Sequence, residues 1–175
     1  MTNEVCFTLH VKVLTKPFIS VANMVRAMRE LLDPNGIRVI VGSNEILDLP
    51  LLTDLDIGTC TGSDVTPEQI ALFQHRTNAK PDDIIAYFVR STYPPTSGCA
   101  AHPEPLPSAV VTYGASRWSL AHEIGHVLGL RHVDDNRRLM TGDGTLDIVD
   151  PPPGLVASEL RKIRKSPLVK PYAGA

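Results

Sequence analysis

The chain has 175 residues, 43% hydrophobic and 21% charged, with a formal net charge of -2. That is enough apolar material to bury a core, and it excludes a chain too polar to fold. There is no basic block, no interleaving of basic and aromatic residues, and no apolar run long enough to cross a bilayer. Neither nucleic acid as a partner nor a membrane span is therefore expected.

The first residues lack the charged start, apolar stretch and small-residue cleavage site of a secretory signal. The expectation is a cytoplasmic protein, or one exported by a signal-independent route. Val5, Phe7, Leu9, Val11 and Val13 alternate with other residues and predict a half-buried strand over 5–14, with Cys6 a buried thiol. Helical spacing follows over 20–32, with Val21, Met24, Val25, Met28 and Leu32 on one stripe and Ser20 as the cap. Asp33, Pro34, Asn35 and Gly36 stop that helix, and 37–41 reads as a second strand. Strand, helix, strand implies parallel pairing through a right-handed crossover.

A long connection leads to a short helix over about 67–76, capped by Thr66, and then to an apolar strand over 83–89. Pro and Gly punctuate 91–107, within which 98–102 reads as a short edge strand. Residues 108–112 form a further strand, and Ser116 is placed to cap the next helix. Beyond Gly129 the chain reads as irregular until a final helix over about 155–165, where Arg161, Lys162, Arg164 and Lys165 form a solvated face. His10 and His75 have no neighbour at ligand spacing and read as structural or exposed. The fold class is α+β. One domain is expected over 1–175, divided into a lobe of about 1–130, a smaller irregular lobe of about 131–175, and a substrate cleft between them.

Three cysteines do not make a disulfide framework. Cys60 and Cys99 lie in Gly-, Thr- and Ser-rich connections. Whether they pair depends on an oxidising compartment and on the approach of their Cα atoms, which the sequence leaves open.

The chemistry lies in His122-Glu123-Ile124-Gly125-His126-Val127-Leu128-Gly129-Leu130-Arg131-His132. Residues four apart on a helix are offset by only about 40°, so His122 and His126 project from one face toward a common point. Two imidazoles there suit Zn2+. Glu123 lies on the same wall and suits a general base that takes a proton from water. A longer helix would carry later residues away from the metal. Gly129 can take a left-handed conformation, end the helix, and let His132 supply the third ligand from outside it. Three protein ligands and an open fourth position mark a catalytic rather than a structural site. Leu120, Ile124, Val127 and Leu128 face the other way, and Trp118 reads as core.

These residues resemble the metzincin zinc peptidases, whose signature HExxHxxGxxH is followed by a methionine-containing turn. Met140 follows His132 by eight positions in Arg138-Leu139-Met140-Thr141, a spacing similar to that of the matrixin branch. The resemblance implies a zincin-like catalytic domain: a twisted mixed β-sheet with an antiparallel edge strand, an active-site helix, and a small irregular C-terminal lobe with a final helix. It also implies that Met140 forms an apolar floor beneath the histidines. Cys99, Ala100 and Ala101 would pair through their backbone with an extended substrate, and His102 would be a surface residue. The segment 140–153 would build the pocket for the residue following the cut.

Val133 is neither the matrixin serine nor the adamalysin aspartate, and Gly142 is not the tyrosine of astacins and serralysins. The loop that holds structural zinc and calcium in matrixins is absent. One catalytic zinc ion is therefore expected, with Asp134, Asp135, Asp143 and Asp147 as solvated turn residues. Cys6, inside the first strand, is not placed to cap the zinc. The implied activity is zinc-dependent endopeptidase action on a protein or peptide substrate, by a monomer. Two other readings stay open: a catalytically silent zinc-bearing binding or inhibitory module, which would not need Glu123, and a signal-less protease effector or toxin.

Overall fold

A mostly parallel sheet organises the molecule, and the computed structural model describes residues 3–174 of it. In chain order the elements are β1 (Val5–Val13), α1 (Val21–Leu32), β2 (Ile37–Ile46), β3 (Asp54–Asp56), α2 (Pro67–Phe73), β4 (Ile84–Val89), β5 (Ser91–Tyr93), β6 (Gly98–Cys99), β7 (Ser108–Thr112), α3 (Ser119–Val127), α4 (Ala157–Arg164) and β8 (Lys170–Pro171). The main sheet runs β2-β1-β4-β7-β6, and β8 is added to the start of β1. The pairs β1–β2, β1–β4 and β4–β7 are parallel, whereas β6 runs antiparallel to β7. A separate parallel pair joins β3 to β5.

Both faces of the sheet are covered. On one face Phe7, Leu9, Val11, Ile84, Ala86, Phe88, Ala109 and Val111 pack with the stripes of α1 and α3. On the other, Ile85, Tyr87, Val89 and Val110 pack with Leu72 and Phe73 of α2 and with Leu55 and Ile57. That is why β4 reads as a continuous apolar run rather than an alternating one. Each fully buried side chain of this size contributes about 1.5–3 kcal/mol relative to exposure.

Local signals place the helices. Ser20 caps α1 by accepting the Asn23 N–H. Thr66 and Gln69 form a reciprocal capping box at the start of α2, which ends at Phe73, earlier than its apolar spacing predicts.

β1 departs from the half-buried strand expected, because it lies inside the sheet and its second face is buried as well. Lys12 is fully buried, donates from Nζ to the Thr77 carbonyl at 2.8 Å, and pairs with Glu45 at 2.9 Å. His10 is buried between Ser43 Oγ at 2.7 Å and Asp83 Oδ2 at 2.9 Å. A bulge at Leu9/His10 accompanies this seat: Gly42 lies over the imidazole, where a β-carbon would come 2.5 Å from His10 Cε1. Burying these polar groups is tolerable because each is partnered. Cys6 is only partly buried.

Candidate metal centre and active site

Helix α3 lies between β7 and α1 on the sheet, with Leu120, Ile124, Val127 and Trp118 buried in the shared core. It begins at Ser119 with Trp118 as N-cap, so Ser116 is not the cap. Instead Ser116 donates its backbone N–H to Ser119 Oγ at 2.9 Å, and both hydroxyls meet Thr145 Oγ1, at 2.7 and 2.9 Å. The start of the helix is thereby tied to the segment after Met140.

The far end of α3 closes as its glycine predicts. Gly129 has φ 102°, its N–H donates to the His126 carbonyl at 2.9 Å, and the Leu130 N–H reaches back to the Gly125 carbonyl at 2.9 Å. This paired closure of the last turn is the Schellman arrangement, and it reverses the chain toward His132.

His122, His126 and His132 come together, with one donor atom from each within 4.8 Å of the others. His132 Nε2 lies 3.2 Å from His122 Nε2 and 2.9 Å from His126 Nε2. The opposite nitrogens are engaged: His122 Nδ1 donates to the Leu139 carbonyl at 2.8 Å and His126 Nδ1 to the Leu130 carbonyl at 2.9 Å. A neutral imidazole that donates from Nδ1 presents a lone pair at Nε2. Two such lone pairs face His132 Nε2 at close range, an arrangement that one cation would satisfy at all three nitrogens.

The residues fit zinc. Nitrogens bound at about 2.0–2.1 Å around a tetrahedral ion lie about 3.3 Å apart, close to the separations seen. Carbonyl acceptors behind the ligands are what metal-binding histidines ordinarily carry. Burial pushes the His122 imidazole down to about 4, with its two histidine neighbours adding to the effect, and lowers His126 for the same first reason. Both rings are thus neutral and ready to ligate near pH 7.

Glu123 is 7% exposed, and burial pushes its carboxyl up to about 8. A cation beside it would favour the charged, basic form.

Met140 is fully buried, and a β-carbon on Gly125 would fall 2.7 Å from Met140 Sδ. The turn is held to the His132 segment by Val133 N–H to Met140 O at 2.9 Å and Gly142 N–H to Val133 O at 3.0 Å. Behind it, Leu139 N–H donates to Gly154 O at 3.0 Å, and Arg138 pairs with Glu159 of α4 at 2.7 Å. Leu146 and Val149, in the segment expected to shape a pocket, are exposed.

The expected edge strand is present but short. β6 covers Gly98 and Cys99, while Ala100 and Ala101 lie beyond it. The Ala100 carbonyl already accepts from His102 Nδ1 at 2.7 Å, and His102 N–H donates to Gly62 O at 3.2 Å. Cys99 is buried and disulfide-bonded to Cys60, with Cα atoms 5.9 Å apart. The strand is therefore anchored to the loop around Gly62. Sequence reasoning missed three supports of the site: Gly125 and the carbonyls of Leu130 and Leu139. The glycine was visible inside the motif, but main-chain acceptors leave no residue-type signal.

Solved structures share this fold. Metalloproteinase-II from Bacteroides fragilis superposes with a TM-score of 0.62 at 19% identity, covering 93% of this chain and 54% of that one. Archaemetzincin from Methanopyrus kandleri gives 0.57 at 16% identity, covering 91% and 94%. Archaemetzincin from Archaeoglobus fulgidus gives 0.52 at 15% identity, covering 89% and 99%. The chain thus spans about half the length of the Bacteroides fragilis protein and nearly all of the archaeal ones. No family model and no curated relative matches the sequence. Among the described residues, no helix is long and apolar enough to cross a membrane.

Proposed function

We propose that the chain is a zinc-dependent endopeptidase of metzincin type that acts on protein or peptide substrates as a monomer. The observation that carries this reading is the convergence of three histidine Nε2 atoms, two of them oriented by carbonyls, beside a buried glutamate on the same helix. The solved structures of like fold are described as a metalloproteinase and archaemetzincins, which agrees with it.

His122, His126 and His132 would hold one zinc ion. Bound there, zinc would supply a Lewis acid that polarises a peptide carbonyl and makes water easier to deprotonate. Glu123 takes the proton from the attacking water and passes it to the departing amine. Its burial keeps bulk water from competing for that proton. Met140 supports the histidines from below without offering a ligand. The edge of β6, continued by Ala100 and Ala101, receives an extended substrate by strand addition. Segment 140–153 forms the wall beyond the cut.

The test is Glu123→Ala, assayed for zinc content and for cleavage of a proteome-derived peptide library by mass spectrometry. Zinc is retained and cleavage drops by several orders of magnitude. A wild-type protein that binds zinc and cleaves nothing would instead be a silent zinc-bearing module.

A further inference from the structure

The edge strand presents a residue with no side chain to the proposed general base. A β-carbon on Gly98 would lie 2.8 Å from Glu123 Cγ, 2.9 Å from Glu123 Oε1 and 2.7 Å from the Val110 carbonyl oxygen. Two of these three contacts are with the Glu123 side chain, one of them with its carboxylate oxygen. Backbone freedom does not account for the glycine, because Gly98 is not among the residues with positive φ. What requires it is the proximity of its neighbours.

Both sides are held, so neither yields without a cost. Glu123 is 7% exposed and sits on a helix anchored by Leu120 and Ile124. The strand is held on three counts: Gly98 pairs with Val111, its carbonyl accepts from Thr96 Oγ1 at 3.0 Å, and the next residue carries the disulfide to Cys60. An added methyl would therefore turn the carboxylate to another rotamer or lift the strand from β7.

We infer that Gly98 is a positioning residue for Glu123: the space left by its missing side chain seats the carboxylate, so the strand that receives substrate also aims the general base. This rests on the peptidase reading above. It gives the edge strand a second task that backbone pairing alone does not require.

The experiment compares wild type, Gly98→Ala, Glu123→Asp and the double variant for zinc content, kcat and KM on one cleaved peptide. Gly98→Ala lowers kcat by about 10–100-fold, in line with misplacement of a reacting group, while zinc content stays full and KM changes less than kcat. In the Glu123→Asp background, where the shorter side chain withdraws Oε1 but keeps Cγ and the Val110 carbonyl is unchanged, the same alanine costs less than it does in wild type. Equal costs in both backgrounds would overturn the inference, because the added methyl would then act through the Val110 carbonyl alone. A second measurement needs no activity: the zinc-free melting temperature falls less on Gly98→Ala in a Glu123→Ala background than in wild type. Equal falls, or failure to fold in both backgrounds, would also overturn it. If wild type loaded with zinc cleaves no peptide, the peptidase reading fails, and the melting comparison still decides the role of Gly98.

Discussion

Met140 Sδ occupies the space that a β-carbon on Gly125 would need, 2.7 Å from that position. The glycine of the histidine motif is therefore matched to the methionine of the turn fifteen positions later. Gly125→Ala sets a gain in helix propensity of about 1 kcal/mol against overpacking that costs about 1–3 kcal/mol. Overpacking wins, because Met140 is fully buried. A net loss of up to about 2 kcal/mol is expected in urea unfolding, with weaker zinc binding in a chelator competition, since the same turn carries the Leu139 carbonyl that orients His122. Met140→Ala costs less in the Gly125→Ala background than in wild type, because there it also relieves the overpacking.

Removing a bound metal is expected to leave the fold standing. The two apolar clusters lie on opposite faces of the sheet and need no ion to form. A chelator is expected to abolish cleavage while far-UV circular dichroism stays unchanged, and added zinc restores activity. This differs from small domains that unfold without their metal. His122→Ala, His126→Ala and His132→Ala each reduce zinc content, read by atomic absorption, and leave the dichroism spectrum intact.

The disulfide between Cys60 and Cys99 closes a loop with a sequence separation of 39. Loop-closure entropy for that length corresponds to about 3–4 kcal/mol of stabilisation in the chain-entropy model. Cys60→Ser with Cys99→Ser is expected to lower stability by up to that amount in chemical denaturation. It also raises KM more than it lowers kcat, because Cys99 belongs to the strand proposed to bind substrate.

Stability of the zinc-free protein carries two opposed pH dependences, one lost as pH rises and one lost as pH falls. Glu123 is raised from 4.5 to about 8, so its contribution is intact below pH 4.5. It is lost as pH rises to 8, where the unfolded chain has released a proton that the folded chain still holds. His122 is lowered from 6.5 to about 4, so its contribution is intact above pH 6.5 and is lost as pH falls to 4. Melting temperatures of the chelated protein, measured from about pH 4 to about pH 9, show both losses. Glu123→Gln removes only the loss that accompanies rising pH.

Much of this was legible from residue spacing. Alternation in β1, the stripe and cap of α1, the apolar run of β4, and the histidine spacing on α3 are local patterns with a single physical cause each. What escaped was non-local. The second face of β1 reads as solvent-facing because His10 and Lys12 are polar, and only their distant partners Asp83, Thr77 and Glu45 make their burial tolerable. β3, β5 and β8 are three residues or fewer and carry no periodicity to detect. Ser116 reads as the cap by residue type; its hydroxyl accepts the Trp118 N–H at 3.2 Å one residue ahead of the helix and donates to Thr145, a partner 29 residues away. The pairing of Cys60 with Cys99 depends on Cα separation, which only the fold supplies.

The acceptors that orient His122 and His126 are main-chain carbonyls of Leu139 and Leu130 respectively. A substitution at either position changes a side chain and leaves its carbonyl in place. Ligand orientation is thus insulated from point mutation at the residues that provide it, and exposed to changes in chain length. A one-residue insertion or deletion between Gly129 and His132, or between His132 and Leu139, would displace a carbonyl or a ligand outright. In descendants of this sequence the side chains at 130 and 139 are free to drift within the limits of packing, while the spacing around them is not.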